Sequence, residues 1–132
     1  MTDRVGLLLG LDLTEVGRIA EVLDRHGDRF LARVFRDGEI RRSRRHPRAL
    51  AEHVAGRFAA KEAAMKALGT GWRGVAFREI EIGREPSGKP RVAFHGRALE
   101  RSRALRVLSA EVTITHTRDI AAAVVALLVA PP

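Results

Sequence analysis

Two carboxylates, Asp12 and Glu62, and two lysines, Lys61 and Lys66, are the residues of this chain whose type and setting best suit chemistry. Asp12 closes the apolar run Val5–Leu11. An ionised carboxylate at the end of a buried strand is costly unless it is paired or bound to a cation. Its plainest alternative roles are a helix N-cap or a salt bridge. Glu62 lies within Ala59-Ala60-Lys61-Glu62-Ala63-Ala64, on an otherwise uncharged helical face. Its plainest role is an i, i+4 pair with Lys66, worth roughly 0.2–0.5 kcal/mol. Taken together, the two carboxylates offer hard oxygen ligands that suit Mg²⁺ held jointly with substrate phosphates rather than in a complete protein cage. Lys61 and Lys66 are two of only three lysines in a chain with 21 arginines. A lysine can titrate and donate a proton, whereas an arginine effectively cannot. Arg57, Lys61 and Lys66 recur at about one helical turn, so they are expected to follow one side of a helix. A solvated face is the alternative.

Other short motifs are weaker. Gly69-Thr70-Gly71 is built like a phosphate-cradling loop, but it follows a helix instead of opening one. The helix dipole disfavours anions there, and a C-cap explains the glycines. Ser87-Gly88-Lys89-Pro90 is a turn, and His116 suits a ligand, an acid–base group or a turn. In the helix expected after Thr14, Arg18, Arg25 and Arg29 fall within about 40° of one another at 100° per residue. Glu21, Asp24 and Asp28 fall on another side. The resulting basic ridge requires the helix to continue through Gly27.

The elements that must position these residues follow from patterning. Val5–Leu13 reads as a buried strand, and Thr14 as the cap of a helix whose Val16, Ile19 and Leu23 share a face. Arg48–Leu68 is the clearest helix, with an apolar stripe of Leu50, Val54, Phe58, Met65 and Leu68 that ends at Gly69. Glu79–Ile82 and Arg91–Phe94 alternate about the turn 86–90, and Ala98–Leu105 suits a short helix. Glu111–Thr115 and Ile120–Val129 are strands joined by 116–119. The expected class is α+β, with a mostly antiparallel sheet and a long helix bearing the central motif. The 132 residues fit one domain, 1–132, with 45% hydrophobic residues to build its core.

Composition narrows the partners. No cysteine is present, which excludes disulfides, cysteine nucleophiles and thiolate metal sites. The longest apolar run, Ile120–Ala130, has 11 residues, too few to span a bilayer. Val5–Leu11 lacks a cleavage site, so a cytoplasmic protein without a membrane partner is expected. Net charge is +8, and the 31 residues from Arg18 to Arg48 carry 10 arginines against 5 acidic residues. An anionic partner is implied, be it nucleic acid, a phosphate-bearing ligand or an acidic protein.

These pieces occur in an order that resembles one family. Gly10-Leu11-Asp12-Leu13-Thr14-Glu15-Val16 followed by Arg18-Ile19 resembles the opening of the holo-acyl-carrier-protein synthases. Gly56-Arg57-Phe58-Ala59-Ala60-Lys61-Glu62-Ala63, then Lys66-Ala67-Leu68-Gly69-Thr70-Gly71, resembles that family's most specific motif. Ser87-Gly88-Lys89-Pro90 and Val112-Thr113-Ile114-Thr115-His116 match its later landmarks, with Thr113 and Thr115 where serine is common. The resemblance implies a short 4′-phosphopantetheinyl transferase with that fold. It would transfer 4′-phosphopantetheine from coenzyme A to a serine of apo acyl carrier protein and release adenosine 3′,5′-bisphosphate.

By the same resemblance, Asp12 and Glu62 are Mg²⁺ ligands, and Lys66 is a proton donor or charge stabiliser for the leaving phosphate. Either Glu62 or a water of the metal's shell takes the serine proton. Arg57, Lys61, Gly69, Thr70, Gly71, Gly88, Lys89, Pro90 and His116 surround coenzyme A. Arg18, Arg25, Arg29 and Arg33 dock the acidic carrier protein. The Arg41–Arg48 cluster is more basic than the family requires and has no assigned role. A homotrimer with sites at subunit boundaries is implied too, and the long strand Ile120–Val129 is expected to need a covered edge. A small nucleic-acid-binding domain explains the charge equally well, but 5% aromatic residues leave few stacking platforms and no such motif is present. A scaffold that has lost catalysis is disfavoured by the presence of Asp12, Glu62 and Lys66.

Overall fold

The computed structural model describes residues 3–41 and 46–132, the side chain of Trp72 apart. Strand β1 (Gly6–Glu15) leads directly into helix α1 (Val16–Val34), followed by α2 (Pro47–Leu68) and the short α3 (Gly71–Gly74). A hairpin of β2 (Ile80–Arg84) and β3 (Pro90–Phe94) comes next, then α4 (Gly96–Ala104), β4 (Val107–His116) and β5 (Ile120–Val129). The main sheet has the order β1-β5-β4, and every strand pair in the fold is antiparallel. The α+β class read from the pattern is the observed one.

Helix α2 is the axis of the molecule. Its start is set by Pro47 in the first turn and its end by Gly69 in the left-handed region, φ 73°. One set of its residues, including Ala59, Ala63, Met65 and Leu68, packs on the sheet and the hairpin in one apolar cluster. Val54 and Ala55 enter a second cluster with Val16, Ile19, Leu31 and Phe35 of α1 and its exit. Such burial on most sides explains a helix built of alanine rather than of one apolar stripe. Of the five stripe residues expected, Val54, Met65 and Leu68 are fully buried, whereas Leu50 and Phe58 are half-buried.

Strand β1 departs from its reading as buried on both faces. Leu8, Gly10 and Asp12 face α2, whereas Leu7, Leu9, Leu11 and Leu13 point away and are 57–63% exposed. The pattern is period 2, hidden because both faces carry leucine. Gly10 has a specific cause: a β-carbon there would overlap the Ala63 carbonyl, so only glycine lets α2 lie this close to β1. That closeness brings Asp12 to the last turns of α2, beside Lys66.

Strand β5 lies between β1 and β4, so both of its edges are paired within the chain. The cover expected for its edges is thus supplied within one chain, by β1 and β4. What lacks cover is one face of the sheet. Leu7, Leu9, Leu11 and Leu13 stand beside Leu128, Ala126, Val124 and Ala122, their register partners on β5.

Helix α1 starts after Glu15, not after a Thr14 cap, because β1 runs through Thr14. It continues through Gly27, but His26 leaves helical geometry at φ −134°, ψ 15°, so the arginine ridge is divided into two halves. Residues 42–45, half of the Arg41–Arg48 cluster, lie outside the described residues.

Candidate functional site

Asp12 is held from both sides. The Lys66 ammonium of α2 donates to Asp12 Oδ1 at 3.1 Å and to the Leu11 carbonyl at 3.0 Å. The Thr14 hydroxyl donates to Oδ2 at 3.4 Å. Lys66 thus pairs with Asp12, not with Glu62 as the simple i, i+4 reading has it. Glu62 lies one turn before Lys66 and close enough to Asp12 to feel its charge. Burial and then Asp12 push the Glu62 carboxyl up, while Lys66 and Arg18 pull it down. The same carboxylate lines a cleft of about 410 Å³ with Arg18 at its polar side and Leu13, Ile19, Phe58 and Ile120 among its apolar walls.

The Asp12 charge raises the Glu62 carboxyl, and a cation between two such carboxylates would relieve that repulsion. Among the described residues no group of three or more His, Cys, Asp or Glu side chains is placed to hold a metal. Two carboxylates alone make an incomplete site, so a hard cation held here would need its remaining oxygens from a ligand such as a substrate phosphate.

Lys61 does something else. Its side chain is fully buried, and its ammonium donates to Glu39 Oε1 at 2.9 Å and to the carbonyls of Phe77 at 3.0 Å and Ile80 at 2.6 Å. These use all three protons of a lysine, leaving none for a ligand. Glu39 also accepts the backbone N–H groups of Arg36 and Ile82. The pair ties the connection after α1 to β2, so Lys61, expected beside coenzyme A, is engaged within the interior of this chain. Burial lowers the ammonium to about 8 against the opposing pull of Glu39. Nor do Arg57, Lys61 and Lys66 share a side of the helix. Arg57 and Lys61 both lie near Glu39, and Lys66 reaches β1.

A second basic cluster surrounds Arg57, which is buried on α2. Burial and then the Arg84 charge pull its guanidinium down to about 10. His53, one turn earlier, accepts the Arg41 backbone N–H at 3.3 Å. A small cleft of about 190 Å³ opens beside Arg41 and Arg84. Three guanidiniums this close favour an anion between them.

Burial, then Arg57, Arg84 and Arg41, lower His53 from 6.5 to about 4. Between pH 6.5 and 4 the unfolded chain binds a proton that the folded chain refuses, so stability drops as pH falls through that window. Urea midpoints measured from pH 7 to 4 are expected to fall more steeply for the parent than for His53→Gln. Parallel curves would remove this role from His53.

The remaining candidates are dispersed. Gly69-Thr70-Gly71 leaves the C-terminal end of α2, with Gly69 and Gly71 both at positive φ. Gly88, Lys89 and Pro90 form the β2–β3 turn, where Lys89 pairs with Glu111 at 2.9 Å. His116 ends β4, exposed, with Nδ1 3.9 Å from Glu52 on the N-terminal half of α2. The 17 residues from Glu52 to Gly69 span about 25 Å of helix axis at 1.5 Å each. One chain therefore holds His116 and the Gly69–Gly71 loop at opposite ends of α2. Arg18, Arg25, Arg29 and Arg33 are all exposed on α1.

Patterning alone missed His53, Arg84, Glu39 and Phe58 as parts of these clusters. His53 was within reach, four residues before Arg57 and so on the same helical side. Arg84 and Glu39 come from distant segments and carry no local signal.

A fold in which β1 and a motif-bearing α2 bring Asp12, Glu62 and Lys66 together defines a class. Residues 8–125 match the model of the 4′-phosphopantetheinyl transferase superfamily, and the chain belongs to that family. Within it, the chain is similar to proteins named holo-[acyl-carrier-protein] synthase. That of Koribacter versatilis is 47% identical over 119 residues, covering 89% of this chain and 94% of the relative. That of Solidesulfovibrio magneticus is 51% identical over 120 residues, covering 90% and 95%. Among solved structures, the Helicobacter pylori synthase in complex with coenzyme A superposes with a TM-score of 0.76 at 28% identity, over 91% of this chain and 99% of that one.

Proposed function

We propose that this protein is a holo-acyl-carrier-protein synthase. It moves 4′-phosphopantetheine from coenzyme A to a serine hydroxyl of apo acyl carrier protein. The observation that carries the reading is the convergence of Asp12, Glu62 and Lys66 from β1 and α2 beside a mostly apolar cleft. The relatives' shared name and the coenzyme A complexes of similar structures support it.

In this reading the serine oxygen attacks the β-phosphorus of the coenzyme A pyrophosphate. The bond from that phosphorus to the bridging oxygen breaks, and adenosine 3′,5′-bisphosphate leaves. Asp12 and Glu62 would hold Mg²⁺ together with the pyrophosphate. When bound, the ion supplies positive charge against the developing phosphate charge. Lys66, fixed on Asp12, presents protons to the leaving phosphate. Glu62 is positioned at the cleft where the serine enters, and its raised proton affinity suits it to receive the serine proton. Arg57 with Arg41 and Arg84 offers a positively charged setting for a phosphate of coenzyme A. Mass spectrometry of apo carrier protein after incubation with coenzyme A and Mg²⁺ tests the reading. Addition of one phosphopantetheine is expected, and an unmodified carrier refutes it.

The exposed arginines of α1 dock the acidic carrier protein. This explains the basic surface without nucleic acid. Charge complementarity of this kind acts chiefly on association rate and weakens with salt. Arg18 also faces Glu62, so its loss disturbs the site as well. Arg25, further along α1, is the cleaner probe. Arg25→Glu is expected to raise the Michaelis constant for carrier about fivefold at low salt while leaving that for coenzyme A within about twofold. Equal effects on both substrates would place docking elsewhere.

The protein works as a homotrimer in the cytoplasm, with each site at a boundary between copies. Two features support this assembly: the open leucine face of β1, and the wide separation of His116 from the Gly69–Gly71 loop in one chain. Among the described residues no helix is long and apolar enough to cross a membrane.

A further inference from the structure

The Gly69-Thr70-Gly71 loop poses an electrostatic problem. The C-terminal end of a helix carries roughly half a negative charge on its unpaired carbonyls, and coenzyme A is an anion. The backbone meets part of the need. The Gly69 N–H donates to the Lys66 carbonyl and the Thr70 N–H to the Met65 carbonyl, each at 3.1 Å. The Leu68 carbonyl is bound from another element. Arg101 of α4 donates to it through Nε at 2.9 Å. One of its terminal nitrogens lies 3.6 Å from the point a Gly69 β-carbon would occupy. A full positive charge therefore sits on the negative end of α2, beside the first residue of the loop. The Arg101 side chain is exposed, and among the described residues its terminal nitrogens have no hydrogen-bond partner.

We propose that Arg101 is a positioning and charge-compensating residue for coenzyme A. Its Nε fixes the Leu68 carbonyl and with it the path of the Gly69–Gly71 loop. Its delocalised charge reverses the local field, so that a phosphate-bearing ligand is tolerated at a helix C-terminus. The inference rests on the reading that this loop lies against coenzyme A. Arg101 is remote from the chemistry, since its contacts are with the end of α2 and not with Asp12, Glu62 or Lys66.

The test is calorimetric titration of coenzyme A into the parent, Arg101→Gln and Arg101→Lys, at low and high salt. Steady-state kinetics and thermal unfolding are measured alongside. Glutamine keeps an N–H donor and loses the charge. Arg101→Gln is expected to weaken binding about three- to tenfold at low salt, with the gap closing at high salt. Arg101→Lys is expected to stay within about twofold of the parent. The turnover number at saturating coenzyme A should hold in both, and both should melt within a few degrees of the parent. A glutamine variant that binds like the parent at low salt makes Arg101 a helix cap only and overturns the inference. Equal weakening by glutamine and lysine, unchanged by salt, also overturns the charge role. If the parent itself binds no coenzyme A, the functional reading falls and the inference with it. A binding parent with indifferent variants sinks the inference alone.

Discussion

Asp12→Ala and Glu62→Ala are each expected to lower phosphopantetheine transfer on the order of 10³-fold, the scale seen when a group that stabilises transition-state charge is removed. The fold should persist in both. Asp12 sits on the middle of a strand whose register partner is Ala123, and its removal frees Lys66 to reach Glu62 one turn away. Removing Glu62 relieves a carboxyl that burial already disfavours. The two losses should be far from additive, because both residues serve one charge cluster. Lys66→Ala should differ in kind. It should cut the turnover number more than it weakens coenzyme A binding, since its proposed partner is the leaving phosphate. Single-turnover kinetics followed by mass spectrometry of the carrier separates these effects. Parent-like transfer by Asp12→Ala with metal chelated would sink the cation assignment.

How much of this was legible in the chain depends on whether the partner of each residue is local. The helix Pro47–Leu68 was readable to within a residue, because Pro47 and Gly69 punctuate it and its alanines leave little alternative. The order of strands in the second half followed from alternation and turns. The Asp12, Glu62 and Lys66 constellation was named in advance, although the pairing of Lys66 with Asp12 was not. That pairing depends on Gly10 letting two backbones approach, which only three-dimensional packing reveals. The interior position of Lys61 is not legible in the sequence for a geometric reason. Lys61 lies about 140° around the helix from Lys66 at 100° per residue, and the glutamate that receives it, Glu39, is 22 positions away. A buried ammonium and a solvent-facing one look alike in sequence until that acceptor is found. Strand β1 was misread because leucine occupies both of its faces, which erases the alternation that distinguishes a half-covered strand from a buried one.

The leucine face carries the largest structural expectation. Leu7, Leu9, Leu11 and Leu13 remain 57–63% exposed on a strand that also bears Asp12. Fully burying a leucine is worth about 1.5–3 kcal/mol, so each has roughly 1–2 kcal/mol still to gain from cover. Together with Val124 and Leu128 beside them they form a contiguous apolar surface of the kind that marks a protein interface. With the proposed trimer covering this face, the parent is expected to sediment at micromolar concentration near three times its 14.5 kDa chain mass. Leu9→Asp should sediment as a single chain, because a carboxylate on that face cannot be buried without a partner. Its circular dichroism should match the parent, since Leu9 contributes an exposed side chain to the isolated fold. Its transfer activity should drop at least about tenfold, because Leu11 and Leu13 flank Asp12 and any copy that covers them borders the site. A parent that sediments as one chain refutes the assembly. A Leu9→Asp single chain with full activity would show instead that one copy gathers every group the reaction needs, and that the site does not lie at a boundary.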